Sequence, residues 1–215
     1  MRVYLDRVSY EDTYAAIISA EMVRLILTIS VENVWEYHTL DVKAAFLNAK
    51  LETPRYLTPV PSTEHLLGPD QSFRVSRALY GLKIAPKLWN DTVTKTLLNL
   101  GLTQVVTEST LFYMKADEKL VVLVGIFVDY ILVTVKEKYV ENVMAQFNET
   151  GYTTTSGNDN HYLGMRIQRV GKMLQLDTSE KIERLVFAYK AANWTGTRTT
   201  LPDTVRIESP GQGRS

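Results

Sequence analysis

The chain contains no cysteine among its 215 residues. That excludes disulfides and thiolate metal sites. It also carries no net charge, with 24 basic residues against 24 acidic. Enzymes that act on nucleic acid usually gather basic residues on one face, so neutrality weighs against strong autonomous binding to DNA or RNA. No apolar run reaches the roughly 20 residues needed to cross a membrane. Arg2 and Arg7 stand near the N-terminus, but no signal-like apolar core follows them. The three histidines, His38, His65 and His161, lack metal-ligand spacing and read as structural. No internal repeat is present. What remains is a globular composition, 45% hydrophobic, long enough for one domain or two lobes around a sizeable core.

Periodicity divides the chain into elements. Met22, Leu25, Ile26 and Ile29 recur at helical spacing, which predicts an amphipathic helix over Ser19 to Asn33. Strand character follows from Trp35 to Val42. Thr53 to Gln71 holds four prolines and a glycine and reads as an irregular loop. A short strand, Phe73 to Val75, leads to a turn at Tyr80-Gly81. Pro86 suits the first turn of a helix whose buried face is Trp89, Val93, Leu97 and Leu100, with Gly101 as its C-terminal cap. Leu111 to Met114, Leu120 to Val128 and Ile131 to Val135 form an antiparallel meander. Val140, Val143, Met144 and Phe147 mark another helix, closed by Gly151. His161 to Arg169 and Met173 to Leu176 pair around Gly171. Asp177 and Glu180 form a capping-box pattern for a helix over Thr178 to Ala191. Residues 209–215 are Gly, Ser and Gln-rich and are expected to be disordered. Antiparallel meanders with helices on one side imply the α+β class.

Two segments draw attention for their chemistry. Leu123 to Val135 sets two β-branched apolar runs on either side of Asp129 at a tight turn. An unpaired carboxylate in such a setting is costly, so Asp129 is either a solvated turn residue or a cation ligand. Upstream, Asp41 stands where a strand hands over to a short helical turn. It is either an N-cap ahead of Ala44 and Ala45 or the partner of Asp129. Carboxylates at the ends of neighbouring strands can converge on a metal pair. The expectation is that the two acids lie on adjacent strand ends, close enough to share a cation.

Leu40-Asp41-Val42-Lys43-Ala44-Ala45-Phe46-Leu47-Asn48, Leu79-Tyr80-Gly81-Leu82-Lys83-Ile84-Ala85-Pro86-Lys87-Leu88-Trp89 and Phe127-Val128-Asp129-Tyr130 come in that order. Together they resemble the reverse transcriptase of copia-type long-terminal-repeat retrotransposons. That family's usual forms are L/M-D-V-K-T-A-F-L-N, L-Y-G-L-K-Q-A-P-R-x-W and Y-V-D-D. Tyr10 to Ala15, His161 to Ile167, Ser179 to Val186 and Thr199 to Pro202 resemble further family segments, so the likeness covers nearly the whole chain.

The resemblance implies a polymerase palm, an antiparallel sheet with helices packed on one face, with partial fingers and a short thumb or connection segment. Residues 1–178 would be the fingers and palm, 179–208 the start of the connection, and 209–215 a tail. It implies RNA-directed DNA synthesis with two magnesium ions, a template-primer of RNA or DNA, and deoxynucleoside triphosphates. Asp41 and Asp129 would be catalytic, and Asp41, Asp129 and the Val42 carbonyl would hold metal. Lys43, Ala45 and Phe46 would meet the nucleotide, with Phe46 rejecting a ribose 2′-hydroxyl. A core aromatic is the alternative for Phe46. Tyr80, Gly81, Lys83 and Pro86 would meet template and incoming base, though simple turn chemistry serves Gly81 and Pro86 equally. Leu163 and Gly164 match a primer-grip-like strand. Arg74, Arg77, Lys83 and Lys87 either touch phosphates or form a solvated face. The location implied is the cytoplasm or nucleus, no membrane is involved, and protein partners are undefined.

The departures matter as much. Tyr130 stands where the family's second turn acid belongs, Phe127 replaces its tyrosine, and Ile84 replaces its glutamine. A phenol titrates near 10 and is a poor magnesium ligand at neutral pH. The family's basic K-A-R-L-V strand has no counterpart in this sequence. A weakened metal site and an inactive or impaired copy, a fragment of a decayed element, are therefore expected. The other reading is a non-catalytic nucleic-acid-binding or interaction protein that keeps the palm fold.

Overall fold

The computed structural model describes residues 15–57, 64–68, 71–152, 154–156, 161–162, 164–188 and 204–207. Residues 10–14, 199–202 and 209–215, and Leu163, to which expectations were attached, lie outside them. The chain divides into two compact units. The first contains Ala44–Asn99, and the second contains Ile17–Lys43 together with the chain from Leu100 onward.

The second unit is built around helix α1, Ala20–Glu32. Ser19 caps its start, accepting a hydrogen bond from the Met22 amide at 3.2 Å. Val23, Ile26, Leu27 and Val31 recur at helical spacing and are fully or nearly fully buried. Asn33 closes the helix, its side-chain amide donating to the Ile29 carbonyl at 2.9 Å.

Beside α1 runs a six-stranded antiparallel sheet. Its strands are β1 (Glu36–Val42), β4 (Thr103–Val105), β5 (Glu108–Ala116), β6 (Lys119–Phe127), β7 (Tyr130–Val135) and β8 (Thr154–Ser156). Their order across the sheet is β4-β5-β6-β7-β1-β8. Val121 to Ile126 are all buried, so β6 is covered on both faces. That is why its sequence is a continuous apolar run rather than an alternating one. Helix α3, Val140–Glu149, buries Val143 and Phe147.

A four-stranded sheet follows, from β9 (His161–Tyr162), β10 (Met165–Val170), β11 (Met173–Asp177) and β12 (Thr204–Ile207), in the order β12-β11-β10-β9. Its Ile167, Leu174 and Leu176 join Val23, Ile26 and Leu27 of α1 and Leu123 and Leu132 of the larger sheet in one core. The Tyr37 hydroxyl donates to the Ile167 carbonyl at 3.1 Å, tying the two sheets together. Helix α4, Ser179–Ala188, begins beside Asp177, whose Oδ1 accepts from the Ser179 amide at 2.9 Å. Glu180 pairs with Arg184 one turn on.

The first unit holds a two-stranded ribbon, β2 (Lys50–Leu57) with β3 (Phe73–Arg77), and helix α2, Ala85–Asn99. Trp89, Val93 and Leu97 form the buried stripe of α2 as periodicity predicted, whereas Leu100 lies beyond the helix end and is only partly buried.

Two expectations need correction. The irregular loop from Thr53 to Gln71 is strand as far as Leu57, followed by a 3-10 turn at Glu64–Leu66. Pro54 lies within the register shift between Lys50 and Arg55, where the ladder needs no amide from it. The single strand over His161 to Arg169 is broken. Gly164, at φ +73°, turns the chain so that Tyr162 pairs with Met165. A positive φ is strained for any residue with a side chain, so the glycine makes a turn here.

A carboxylate pair at the end of neighbouring strands

β1 and β7 are antiparallel neighbours, with Asp41 directly opposite Tyr130. β6 and β7 form a hairpin in which Phe127 pairs with Tyr130. Its loop is therefore only Val128 and Asp129. Two-residue hairpins need a positive φ at their first position, normally supplied by glycine or asparagine. Here Val128 takes it, at φ +52°. For a β-branched residue that conformation costs roughly 1–3 kcal/mol. Ala44, just after the Asp41 segment, is left-handed as well, at φ +49°. The Asp129 carbonyl accepts from the Val42 amide at 2.8 Å, which pins the turn against the end of β1.

Residues directly opposite in a ladder project from the same face. Phe127, Tyr130 and Asp41 thus share one face at the end of the sheet. It is the face that α1 covers, because Gly125, two residues before Phe127, lies against Ile18 and Ile26. Asp41 belongs to the strand itself, so the N-cap alternative for it is not realised.

The electrostatics follow from this placement. Partial burial raises the Asp129 carboxyl above its ordinary range, a hydrogen bond from its own backbone opposes the shift, and the Asp41 charge adds to it. Burial raises the Tyr130 phenol, and the charges of Asp41 and Asp129 push it further. Two carboxylates that repel one another at a strand end are a donor set suited to a hard cation. Among the described residues no cluster of three or more Asp, Glu, His or Cys could hold a metal. Two carboxylates could supply oxygen ligands to one divalent ion, with water in the remaining positions.

The phenol of Tyr130 has another engagement. Its ring meets Tyr162 edge-on, with centroids 6.5 Å apart and planes at 85°. Tyr162 is fully buried, its hydroxyl directed at the Gly125 carbonyl at 3.5 Å, and burial drives its titration far upward. Sequence reading missed this link. Tyr162 carried no signal beyond its place in a strand motif.

The raised carboxyl of Asp129 sets a pH dependence. A folded-state value above the unfolded one contributes stability at low pH, and that contribution is lost as pH rises through the folded value. In EDTA, Asp129→Asn is expected to raise the melting temperature at pH 7 by about 1–2 °C, since a half-exposed pair is worth a fraction of a kcal/mol. The gain should vanish below about pH 4, where the parent is protonated in both states. A gain of equal size at both pH values would remove repulsion as its cause.

The remaining expected site residues lie elsewhere. Lys43 is exposed beyond β1, and Ala45 is buried. In the first unit, Phe46 is only partly buried, and its ring meets that of Tyr80 at 4.5 Å and 49°. Phe46 is therefore not a core aromatic. Tyr80 is 58% exposed. Leu82 donates to the Leu79 carbonyl and Ala85 to that of Leu82, so Tyr80, Gly81 and Lys83 sit in two successive turns that deliver Pro86 into the first turn of α2. Gly164 is in the β9–β10 turn.

Comparison with known proteins shows the family of the chain. The family model for reverse transcriptase (RNA-dependent DNA polymerase) matches residues 3–203. The chain is 27% identical over 168 residues to the retrovirus-related Pol polyprotein from transposon RE2 of Arabidopsis thaliana, covering 78% of this chain and 12% of that one. The same identity and length relate it to the polyprotein from transposon RE1 of Arabidopsis thaliana, covering 78% and 11%. It is 21% identical over 203 residues to the polyprotein from transposon TNT 1-94 of Nicotiana tabacum, covering 93% and 15%. The chain thus spans well under a fifth of the length of these relatives. No helix among the described residues is long and apolar enough to cross a membrane. Its family generally uses divalent metal ions and binds nucleic-acid template and deoxynucleotides. The chain belongs to the reverse transcriptase (RNA-dependent DNA polymerase) family, as a domain of the kind found in copia-type retrotransposon Pol polyproteins.

Proposed function

We propose that residues 1–178 are the palm and partial fingers of a polymerase that copies RNA into DNA, that 179–208 begin its connection, and that this copy has little or no activity. What supports the site is the register that sets Asp41 across from the Asp129–Tyr130 turn. Asp41, Asp129 and the Val42 carbonyl would hold magnesium. A bound divalent ion would activate the primer 3′-hydroxyl and neutralise charge on the triphosphate. Phe46, backed by the Tyr80 ring, would bear on the sugar of the incoming nucleotide, with Lys43 and Ala45 beside it. Tyr80, Gly81, Lys83 and Pro86 would meet template and base, and Leu163 and Gly164 the primer.

The impairment rests on Tyr130. A neutral phenol replaces a carboxylate, and its ring fills space against Tyr162. Losing one unit charge about 4 Å from a cation costs on the order of 4 kcal/mol at a surface-like dielectric, and more for a divalent ion. That corresponds to a rate loss of roughly three decades. Given primer, RNA template, deoxynucleotides and magnesium, the purified protein is expected to extend the primer barely or not at all. Robust extension that disappears in Asp41→Ala would show that Tyr130 is tolerated, and would overturn the impairment.

A further inference from the structure

We propose that Tyr162 is a positioning residue for the carboxylate pair: it seats the ring of Tyr130 in the core and so leaves the space between Asp41 and Asp129 open to one divalent ion. Tyr130 is directly opposite Asp41 in the β1–β7 ladder, so the two side chains leave the sheet side by side on one face. The charges of Asp41 and Asp129 both act on its phenol. A tyrosine so placed has two courses, over the acids, where its ring would shut a cation out, or into the core. It takes the second. Tyr130 packs against the cluster that holds Val23, Leu27, Leu132 and Ile167, and its ring meets that of Tyr162 with centroids 6.5 Å apart and planes at 85°. Edge-to-face geometry suits the quadrupoles of the two rings and favours this seat over an unpartnered position.

The seat is itself held in place. Tyr162 is fully buried, and its hydroxyl is directed at the Gly125 carbonyl at 3.5 Å. Gly125 lies two residues before Phe127, which pairs with Tyr130 across the hairpin. Tyr162 therefore meets the hairpin twice, through its hydroxyl on β6 and through its ring on β7. Neither contact involves Asp41 or Asp129, so Tyr162 acts on the cation position through Tyr130. This inference rests on the proposed cation site, and adds to it the reason that a tyrosine in place of an acid weakens the site without blocking it.

The test is manganese binding to the intact protein, read from the loss of the free-ion signal in electron paramagnetic resonance at millimolar ion. The parent is expected to bind one ion. Tyr162→Leu should weaken binding about tenfold, the low end for a group that acts on a metal through another residue. Tyr162→Phe keeps the ring and should hold affinity within about twofold. In a Tyr130→Ala background, Tyr162→Leu should leave affinity unchanged, whereas damage to the fold would weaken it there too. A second measurement needs no change at position 162. Nuclear Overhauser contacts between the Tyr130 and Tyr162 rings of the parent should persist when magnesium is added. The proposal is overturned if the parent binds no manganese while Tyr130→Ala does, if Tyr162→Leu binds like the parent, if it weakens binding equally in the two backgrounds, or if the ring contacts vanish with magnesium. Failure of both the parent and Tyr130→Ala to bind, or retained affinity in Asp41→Asn, would instead overturn the cation site itself, and this inference with it.

Discussion

Tyr130→Asp is expected to lose about 2 kcal/mol of stability in EDTA and to regain much of it in millimolar magnesium or manganese. The first half follows from packing. Tyr130 is partly buried against the shared core and meets Tyr162 edge-on. Removing a fully buried aromatic typically costs 3–5 kcal/mol, and a partly buried one proportionately less. The new carboxylate also stands beside Asp41 and Asp129, and like charges repel. For a chain of this size the loss corresponds to roughly 4–8 °C in melting temperature. The second half follows from ligation. A third acid would add an oxygen ligand to the proposed site, and an ion that binds only the folded state stabilises it by mass action. Melting curves of parent and variant, with and without the ion, check both halves. Equal metal-induced shifts in the two proteins would mean that Tyr130 does not occupy the cation site.

Gly125→Ala is expected to destabilise the protein by about 2 kcal/mol, although the same change inside an ordinary strand is stabilising. Gly125 sits in β6 with a normal backbone conformation, so conformational freedom is not its reason. A methyl group there would come within 2.5 Å of Ile18 Cδ1 and 2.9 Å of Ile26 Cδ1. Both isoleucines are buried, at 2% and 0% exposure, so their terminal methyls must shift within the core. Overpacking of this kind typically costs 1–3 kcal/mol. Ile18→Val removes the closer methyl, so combining it with Gly125→Ala should recover part of the loss and give a clearly non-additive cycle. Chemical denaturation of the three variants measures this. An unchanged or raised stability in Gly125→Ala would show that α1 does not lie where the structure puts it.

The α+β class, the meander, the existence of helix α1 and most of the buried stripe of α2 were legible because each follows one period. The buried face of α1 was misjudged: of Met22, Leu25, Ile26 and Ile29 only Ile26 is buried and Leu25 is 46% exposed, because Val23, Leu27 and Val31 offer a second helical stripe that tertiary packing selects. Strand β2 was hidden because Pro54 argues against a strand unless a bulge receives it, and bulges leave no reliable mark in a single sequence. The break at Gly164 was hidden because Leu163, Met165 and Ile167 alternate in the sequence as one continuous strand would. The acids were visible as motif residues. Their surroundings were not. Nothing in the sequence indicates that Val128 takes the position usually given to glycine, or that Tyr130 rests on Tyr162. Both depend on tertiary packing, which overrides local preference.

The central claim is that Asp41 and Asp129 form one cation site that Tyr130 leaves incomplete. Manganese is the most direct probe, since its anomalous scattering locates it in a crystal without reference to activity. Crystals of Tyr130→Asp soaked in millimolar manganese should show an anomalous peak at ligand distance, about 2.0–2.3 Å, from both Asp41 and Asp129. The parent should show a weaker peak there or none. A peak in the variant that touches the new carboxylate but neither Asp41 nor Asp129, or no peak at that strand end while manganese is seen elsewhere, would contradict the claim.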